Sequence, residues 1–225
     1  MRGEADATVD RTVWDLPTRL FHWALAICLV GSFVTVKLHE MRLHAWFGYA
    51  ALALVLFRLL WGVLGSESAR FARFLRGPGA VIDHLRGLVR REPDREATHN
   101  ALGGWAVLAL LLLVLAQGAT GLFANDDILF RGPLFPLVGK AWSDRLTTWH
   151  YRISDALLVL VVVHVAAVLL YRLALGRDLI TPMVTGRKRL PGSVPAPRLA
   201  SPWAAIAAFA VAAGAVWAVV TRQVL

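Results

Sequence analysis

Residues 150–164 read HYRISDALLVLVVVH: two histidines bracket a stretch that becomes almost pure Val, Leu and Ala. An imidazole nitrogen in an apolar helix needs a partner, so intramembrane histidines mark functional positions. Fourteen residues of α-helix rise about 21 Å and turn about 1400°, roughly 40° short of four full turns. His150 and His164 therefore share one helix face at two depths.

The surrounding composition sets the solvent. Of the 225 residues 57% are hydrophobic and 17% charged, with the charges gathered between apolar runs. That apolar fraction exceeds the globular norm and points to an integral membrane protein. Five runs are long enough to span a bilayer: 20–37, 44–64, 100–124, 150–173 and 203–221. None shows the alternation of barrel strands, so all five are expected to be helices. The first is read as a span rather than a signal peptide, because no small-residue cleavage site follows it.

The net charge of +9 does not imply nucleic acid, since the basic residues flank spans, where lipid head groups and insertion topology account for them. The N-tail, the 65–99 loop and the 172–200 loop hold sixteen Lys and Arg, against six in the 37–43 turn, the 125–149 loop and the C-tail. The positive-inside rule then puts the N-terminus in the cytoplasm and the C-terminus outside. Residues 80–91, AVIDHLRGLVRR, have the pattern of an amphipathic helix on the cytoplasmic face. The Gly-, Pro- and aromatic-rich 125–149 loop is expected to fold over the outer mouth of the bundle, and 176–200 to act as a linker. The last span has small residues, no histidine and no internal charge, and reads as an appendage.

With that topology, His44 matches the depth of His150, and His22 or His99 matches that of His164. Two layers of paired histidine across a four-helix bundle suit two haems, each with bis-His axial ligation. The single cysteine, Cys28, and the lack of a C-x-x-C-H motif mean that any haem is held non-covalently. Gly48, one turn after His44, leaves room for a porphyrin on the same face. Arg58, fourteen residues after His44, lies at cytoplasmic depth and suits a haem propionate, as do Arg19 and Arg152. A transition-metal path would favour Met and Cys near the histidines, but the chain has 3 Met and 1 Cys. No general acid–base or nucleophilic constellation stands out, so catalysis beyond quinone redox chemistry is not expected.

The chain resembles the prokaryotic cytochrome b561 and nickel-iron hydrogenase b-type cytochrome family over roughly 10–175. The resemblance is carried by VWDLPTRLFHW (13–23), HAWFGYAALALVLFRLLWG (44–62), HNALGGWAVLALLLLVLAQGATG (99–121) and the spaced pair His150 and His164. It implies a diheme four-helix domain over 1–175, followed by the 176–200 linker and an additional membrane helix within 201–225. It also implies His22 and His164 on the inner haem iron, His44 and His150 on the outer, and a quinone site at His99 and Asn100. The function so implied is respiratory electron transfer in a bacterial inner membrane, between the quinone pool and an outer c-type cytochrome, dehydrogenase or hydrogenase subunit. The number of copies that assemble is left open. Two rivals are carried forward: a free-standing quinone oxidoreductase acting on a small molecule such as superoxide, and a non-haem scaffold or metal transporter.

Overall fold

A computed structural model of the chain describes residues 7–90 and 96–221. The elements run β1 (Thr8–Thr12), α1 (Leu16–Lys37), α2 (Met41–Leu64), α3 (Phe71–Phe74), α4 (Pro78–Val89), α5 (Ala101–Gly121), α6 (Phe135–Leu173), α7 (Ile180–Thr185), β2 (Arg187–Pro191) and α8 (Pro202–Val220). Five of these, α1, α2, α5, α6 and α8, are long and apolar enough to cross a membrane. The chain is a multi-pass helical membrane protein.

Local chemistry starts the spans where the sequence changes character. Asp15 caps α1, its carboxylate accepting the Thr18 N–H at 2.7 Å, with Pro17 in the first turn. Asn100 caps α5 in the same way through the Gly103 N–H, and Ser201 caps α8 through Trp203 N–H. The three caps satisfy backbone donors that would otherwise be left bare at the membrane boundary.

Helix α2 is the hub. It packs on α1, α5 and α8, while α6 makes its main packing with α5. The core between them holds Val55, Phe57, Trp61, Leu111, Val114 and the alanines of α8. Lipid tails are as apolar as leucine, so association of helices in the bilayer rests on close packing. The buried stripe Ala205, Ala208, Ala212 and Val216 gives α8 that close approach, with Phe209 edge-on to Phe57 at 6.0 Å. The last span is therefore seated on α2 rather than hanging free. Helix α6, by contrast, has no comparably extensive packing with α1 or α2 among the described residues. The histidine-bearing faces of α1 and α2 thus look across a gap at α6.

Two segments expected to be irregular are ordered. The 125–149 segment turns helical at Phe135, with Pro136 in the first turn. The only break inside α6 is Gly139, whose φ of 71° is a left-handed conformation that glycine adopts without strain. From Lys140 onward α6 rises about 50 Å, well beyond a hydrocarbon core of about 30 Å. It projects past the membrane, held by Lys140, which pairs with Asp127 and Asp144, and by Asn125, which donates to Ser143 and Asp144. An apolar-run criterion ends the span where polar residues begin, but i,i+4 pairing keeps the helix going.

The 176–200 segment is not a bare linker either. It contains α7 and β2, and β2 pairs antiparallel with β1, from Thr8 opposite Pro191 to Thr12 opposite Arg187. Gly186, with a φ of 84°, makes the turn from α7 into β2; a Cβ there would sit 2.9 Å from the Trp14 carbonyl oxygen. The N-terminal strand is thereby clasped to the end of the bundle from which α1 starts, called the near end below. Val13, Trp14 and Leu190 form a small separate core beneath the clasp.

Glu67 ties the loop after α2 to the lead-in to α8. Its carboxylate accepts the Arg198 N–H at 2.9 Å, and its own N–H donates to the Arg198 carbonyl, also at 2.9 Å. The Arg198 N–H, then the charge of Arg73, hold the Glu67 carboxyl below the usual carboxylate range. A depressed folded-state pKa means a stabilisation that is present above the unfolded value and lost as pH falls through the folded one. Hydrogen-exchange protection of the Arg198 amide, corrected for intrinsic rate, is expected to fall when the pH is taken below that range. Unchanged protection would mean that the carboxylate contributes nothing to this tie.

Candidate functional site: two facing histidine pairs

The gap between α6 and the α1–α2 pair is spanned at two levels. Near the near end, the His22 and His164 rings stand opposite each other, planes tilted by 57°, with centroids 6.4 Å apart. Toward the far end, His44 and His150 do so at 6.0 Å. An imidazole nitrogen sits about 2.0–2.1 Å from a bound metal such as zinc. Adding roughly 1.1 Å from nitrogen to ring centroid, two imidazoles on opposite sides of one metal atom are about 6.3 Å apart, on that bond length. Both pairs fall close to that separation.

The far pair is aimed by the backbone. His44 Nδ1 lies 2.9 Å from the Ser32 carbonyl oxygen, and His150 Nδ1 lies 3.0 Å from the Gln117 carbonyl oxygen. A carbonyl only accepts, so both Nδ1 atoms carry the proton and donate. That fixes the tautomer, orients each ring and makes each Nε2 the acceptor nitrogen. Gln117 also donates from Nε2 to His150 Nε2 at 3.0 Å, while its own Oε1 is buried without a partner. The amide is thus only half satisfied where it stands.

The near pair is set differently. His22 Nδ1 is buried with no hydrogen-bond partner, and Trp23 stands edge-on to the His22 ring at 4.9 Å. His99 is close by but lies outside the pair: it is wedged between Trp14 and Phe74, with ring centroids 4.7 and 4.6 Å away, and its Nδ1 is also buried without a partner. Of the two histidines that depth alone allowed opposite His164, His22 is the one whose ring faces it.

Arg58 is the most unusual side chain at this end. It is 2% exposed, yet Nη1 and Nη2 have no hydrogen-bond partner. Its guanidinium lies over the rings of Phe71 and Phe74, at 4.9 and 6.0 Å. Asp15 offsets its charge without bonding to it, because the Asp15 oxygens are taken by the Thr18 N–H and the Trp61 indole N–H at 3.0 Å. Ring faces attract a cation but do not satisfy its N–H donors, so a buried Arg58 lacks an anionic acceptor.

The other sequence-derived residues are distributed as follows. A Cβ built on Gly48 meets nothing within 4 Å, so open space lies on that side of α2. Arg19 donates to the Val184 carbonyl at 2.5 Å, and Trp23 donates to Met183, which joins α1 to α7. Arg152 is exposed and lies over the Trp149 ring. Asn100, besides capping α5, donates weakly to the Tyr171 hydroxyl at 3.5 Å, and that hydroxyl also bonds His84 Nε2 at 2.8 Å. A water-sized cavity of about 10 Å³ lies between His84, Asn100, Tyr171 and Lys188.

Sequence reading missed Gln117, the Ser32 carbonyl, Asp15 with Trp61, and Tyr171 with His84. Gln117 carried a usable signal, being an amide inside an otherwise apolar span. The Ser32 contact had none, because a backbone carbonyl has no sequence signature.

The chemistry of the donor set narrows the ligand. Among the described residues there is no cluster of three or more His, Cys, Asp or Glu that could hold a metal ion. Two imidazoles are too few for a bare transition metal, which takes four or more ligands. They are the right number for an iron whose porphyrin supplies the equatorial nitrogens. A buried, unpartnered Arg58 and the open space at Gly48 fit the same kind of group, which carries anionic propionates and a flat ring.

Fold and site thus define a helical membrane protein with two close imidazole pairs, an arrangement that suits the class of the b-type cytochromes. A family model, that of prokaryotic cytochrome b561, matches residues 13–186, and the chain belongs to that family. It is a membrane b-type cytochrome of electron transfer, and the family binds b-type haem. Helix α8 lies outside the matched residues. No significant match was found among curated proteins or among solved structures.

Proposed function

We propose that the protein carries electrons across the bacterial inner membrane through two non-covalent haems, exchanging them with quinone at the near, cytoplasmic end and with a redox partner at the far, outer end. The reading rests above all on the two ring separations of 6.4 and 6.0 Å. His22 and His164 hold the near haem iron, and His44 and His150 the far one. When bound, haem supplies reversible one-electron chemistry; the protein sets its potential through ligands, nearby charge and burial. The layers are about 21 Å apart along α6, so together they cover most of the apolar thickness. Arg58 neutralises a propionate of the near haem, and Gly48 leaves the ring its space. Binding at His150 replaces the Gln117 hydrogen bond to Nε2.

The quinone assignment to His99 and Asn100 follows from the family resemblance and from the position of His99 beside the near pair. The cavity next to Asn100 is water-sized, so a quinone ring enters only if His84 parts from Tyr171. The partner at the outer end is a c-type cytochrome or a dehydrogenase or hydrogenase subunit, for which the helical extension of α6 offers a surface beyond the membrane. The N-terminus is cytoplasmic by the distribution of Lys and Arg. A free-standing quinone oxidoreductase acting on a small oxidant is the second reading, and copurification of a partner subunit would count against it.

Mixing the purified holoprotein with a quinol analogue is expected to reduce its haems, seen as growth of the α-band. If no quinol reduces it and no quinone reoxidises it, the quinone role is wrong. His99→Ala is expected to keep both haems and to slow that reaction at least tenfold. Loss of a haem from this variant would instead make His99 a ligand.

A further inference from the structure

The two histidine pairs are not equivalent, and the differences act in one direction. At the far pair, both imidazoles donate from Nδ1 to a backbone carbonyl, Ser32 for His44 and Gln117 for His150. A hydrogen bond from the distal nitrogen makes an imidazole a more basic ligand. A more basic ligand stabilises the oxidised, more positively charged iron. At the near pair, His22 Nδ1 is buried and has no acceptor at all. Its imidazole is the weaker base.

Charge adds to this. Arg58 is a buried guanidinium at the near end, its Nη atoms without a hydrogen-bond partner, packed against aromatic faces and offset only in part by the Asp15 carboxylate, which is bonded elsewhere. A cation in a low-dielectric setting disfavours an added positive charge nearby far more than one in water. The far pair has no counterpart. Arg152, two residues from His150, is exposed over Trp149, and Arg42, two residues from His44, is exposed too. Neither is buried against protein as Arg58 is, and Arg42, which precedes the apolar run 44–64, is screened by water and salt.

We propose that these features place the near haem site, between His22 and His164, at the higher reduction potential of the two, so that electrons entering at the far end come to rest at the near end. Each transfer moves one electron: the far iron is oxidised from ferrous to ferric as the near iron is reduced from ferric to ferrous. The electron donor is an outer redox protein and the final acceptor a quinone. The inference rests on the diheme reading and adds to it a direction of flow.

The test is an equilibrium redox titration of the purified full-length holoprotein, followed at the α-band. Two one-electron steps are expected. Arg58→Gln removes the buried cation and is expected to move the upper step down, leaving the lower step where it was, while Arg58→Lys retains most of the upper value. Two single-haem variants give an assignment that does not depend on Arg58: the haem kept by His44→Ala is expected to titrate above the one kept by His22→Ala. A lower value for the haem kept by His44→Ala would overturn the proposal, as would an Arg58→Gln shift confined to the lower step. A wild-type protein whose two haems titrate together would also overturn it. Absence of haem from the wild-type protein would be a different failure, that of the diheme reading itself.

Discussion

His164→Ala is expected to halve the haem content of the purified protein, from two haems per chain to one, and to leave the retained haem with an unaltered low-spin spectrum. His164 is the α6 imidazole nearest the His22 ring, so its loss takes away one of the two ligands proposed for the near haem. Of the other histidines at this end, His99 is fixed between Trp14 and Phe74 and His84 is bonded to the Tyr171 hydroxyl. The far pair lies about 21 Å away along the helix, and sites that far apart without shared partners behave independently. The retained haem is therefore an internal control for folding. His150→Ala is expected to give the mirror result, losing the far haem and keeping the near one. If His164→Ala keeps both haems, the ligand assignment is wrong. If it loses both while the protein remains folded, the two layers are not independent.

The second large effect concerns stability. Asp15 is expected to be the most damaging single truncation outside the histidines, because one buried carboxylate does three jobs. One oxygen caps α1 through the Thr18 N–H, and the other accepts the indole N–H of Trp61, which is wholly buried. The same charge offsets Arg58. Losing an N-cap costs about 1 kcal/mol, and leaving a buried donor unsatisfied costs about 1–3 kcal/mol. Asp15→Ala is therefore expected to destabilise the fold by about 2–4 kcal/mol, with a further penalty from Arg58. Asp15→Asn keeps one acceptor oxygen but turns an NH2 donor toward the other N–H group, and should cost less than Asp15→Ala while remaining below wild type. The measurement is the thermal unfolding midpoint in detergent, with haem-free and haem-loaded samples compared. An Asp15→Ala protein as stable as wild type would remove the Asp15–Trp61 link from the description of the near end.

The spans were legible because the bilayer imposes a length and a composition that little else in a sequence imitates. The histidine layers were legible because helical rise and turn convert a spacing of fourteen into a common face and a known depth. His99 shows where that method ends: depth alone admitted it as readily as His22, but it is the His22 ring that stands opposite His164, while His99 is wedged between Trp14 and Phe74. Membrane hydropathy is equally blind beyond the bilayer. It ended the fourth span at His150, although α6 continues outward to Phe135. The β1–β2 clasp escaped because its strands are about 175 residues apart in the chain, and each is too short and polar to show alternation. The Asp15–Trp61 bond and the Nδ1 acceptors escaped for the simplest reason. They depend on which helices meet, and a single sequence carries no record of that.

The central claim is that this chain holds two haems, each between two histidines. It is tested most directly by a pyridine haemochrome assay on the purified protein, set against its molar concentration, with an electron paramagnetic resonance spectrum of the oxidised state. Two b-type haems per 225-residue chain, both low-spin with bis-imidazole signatures, is the expected result. One haem per chain, a high-spin iron, or no haem would contradict it.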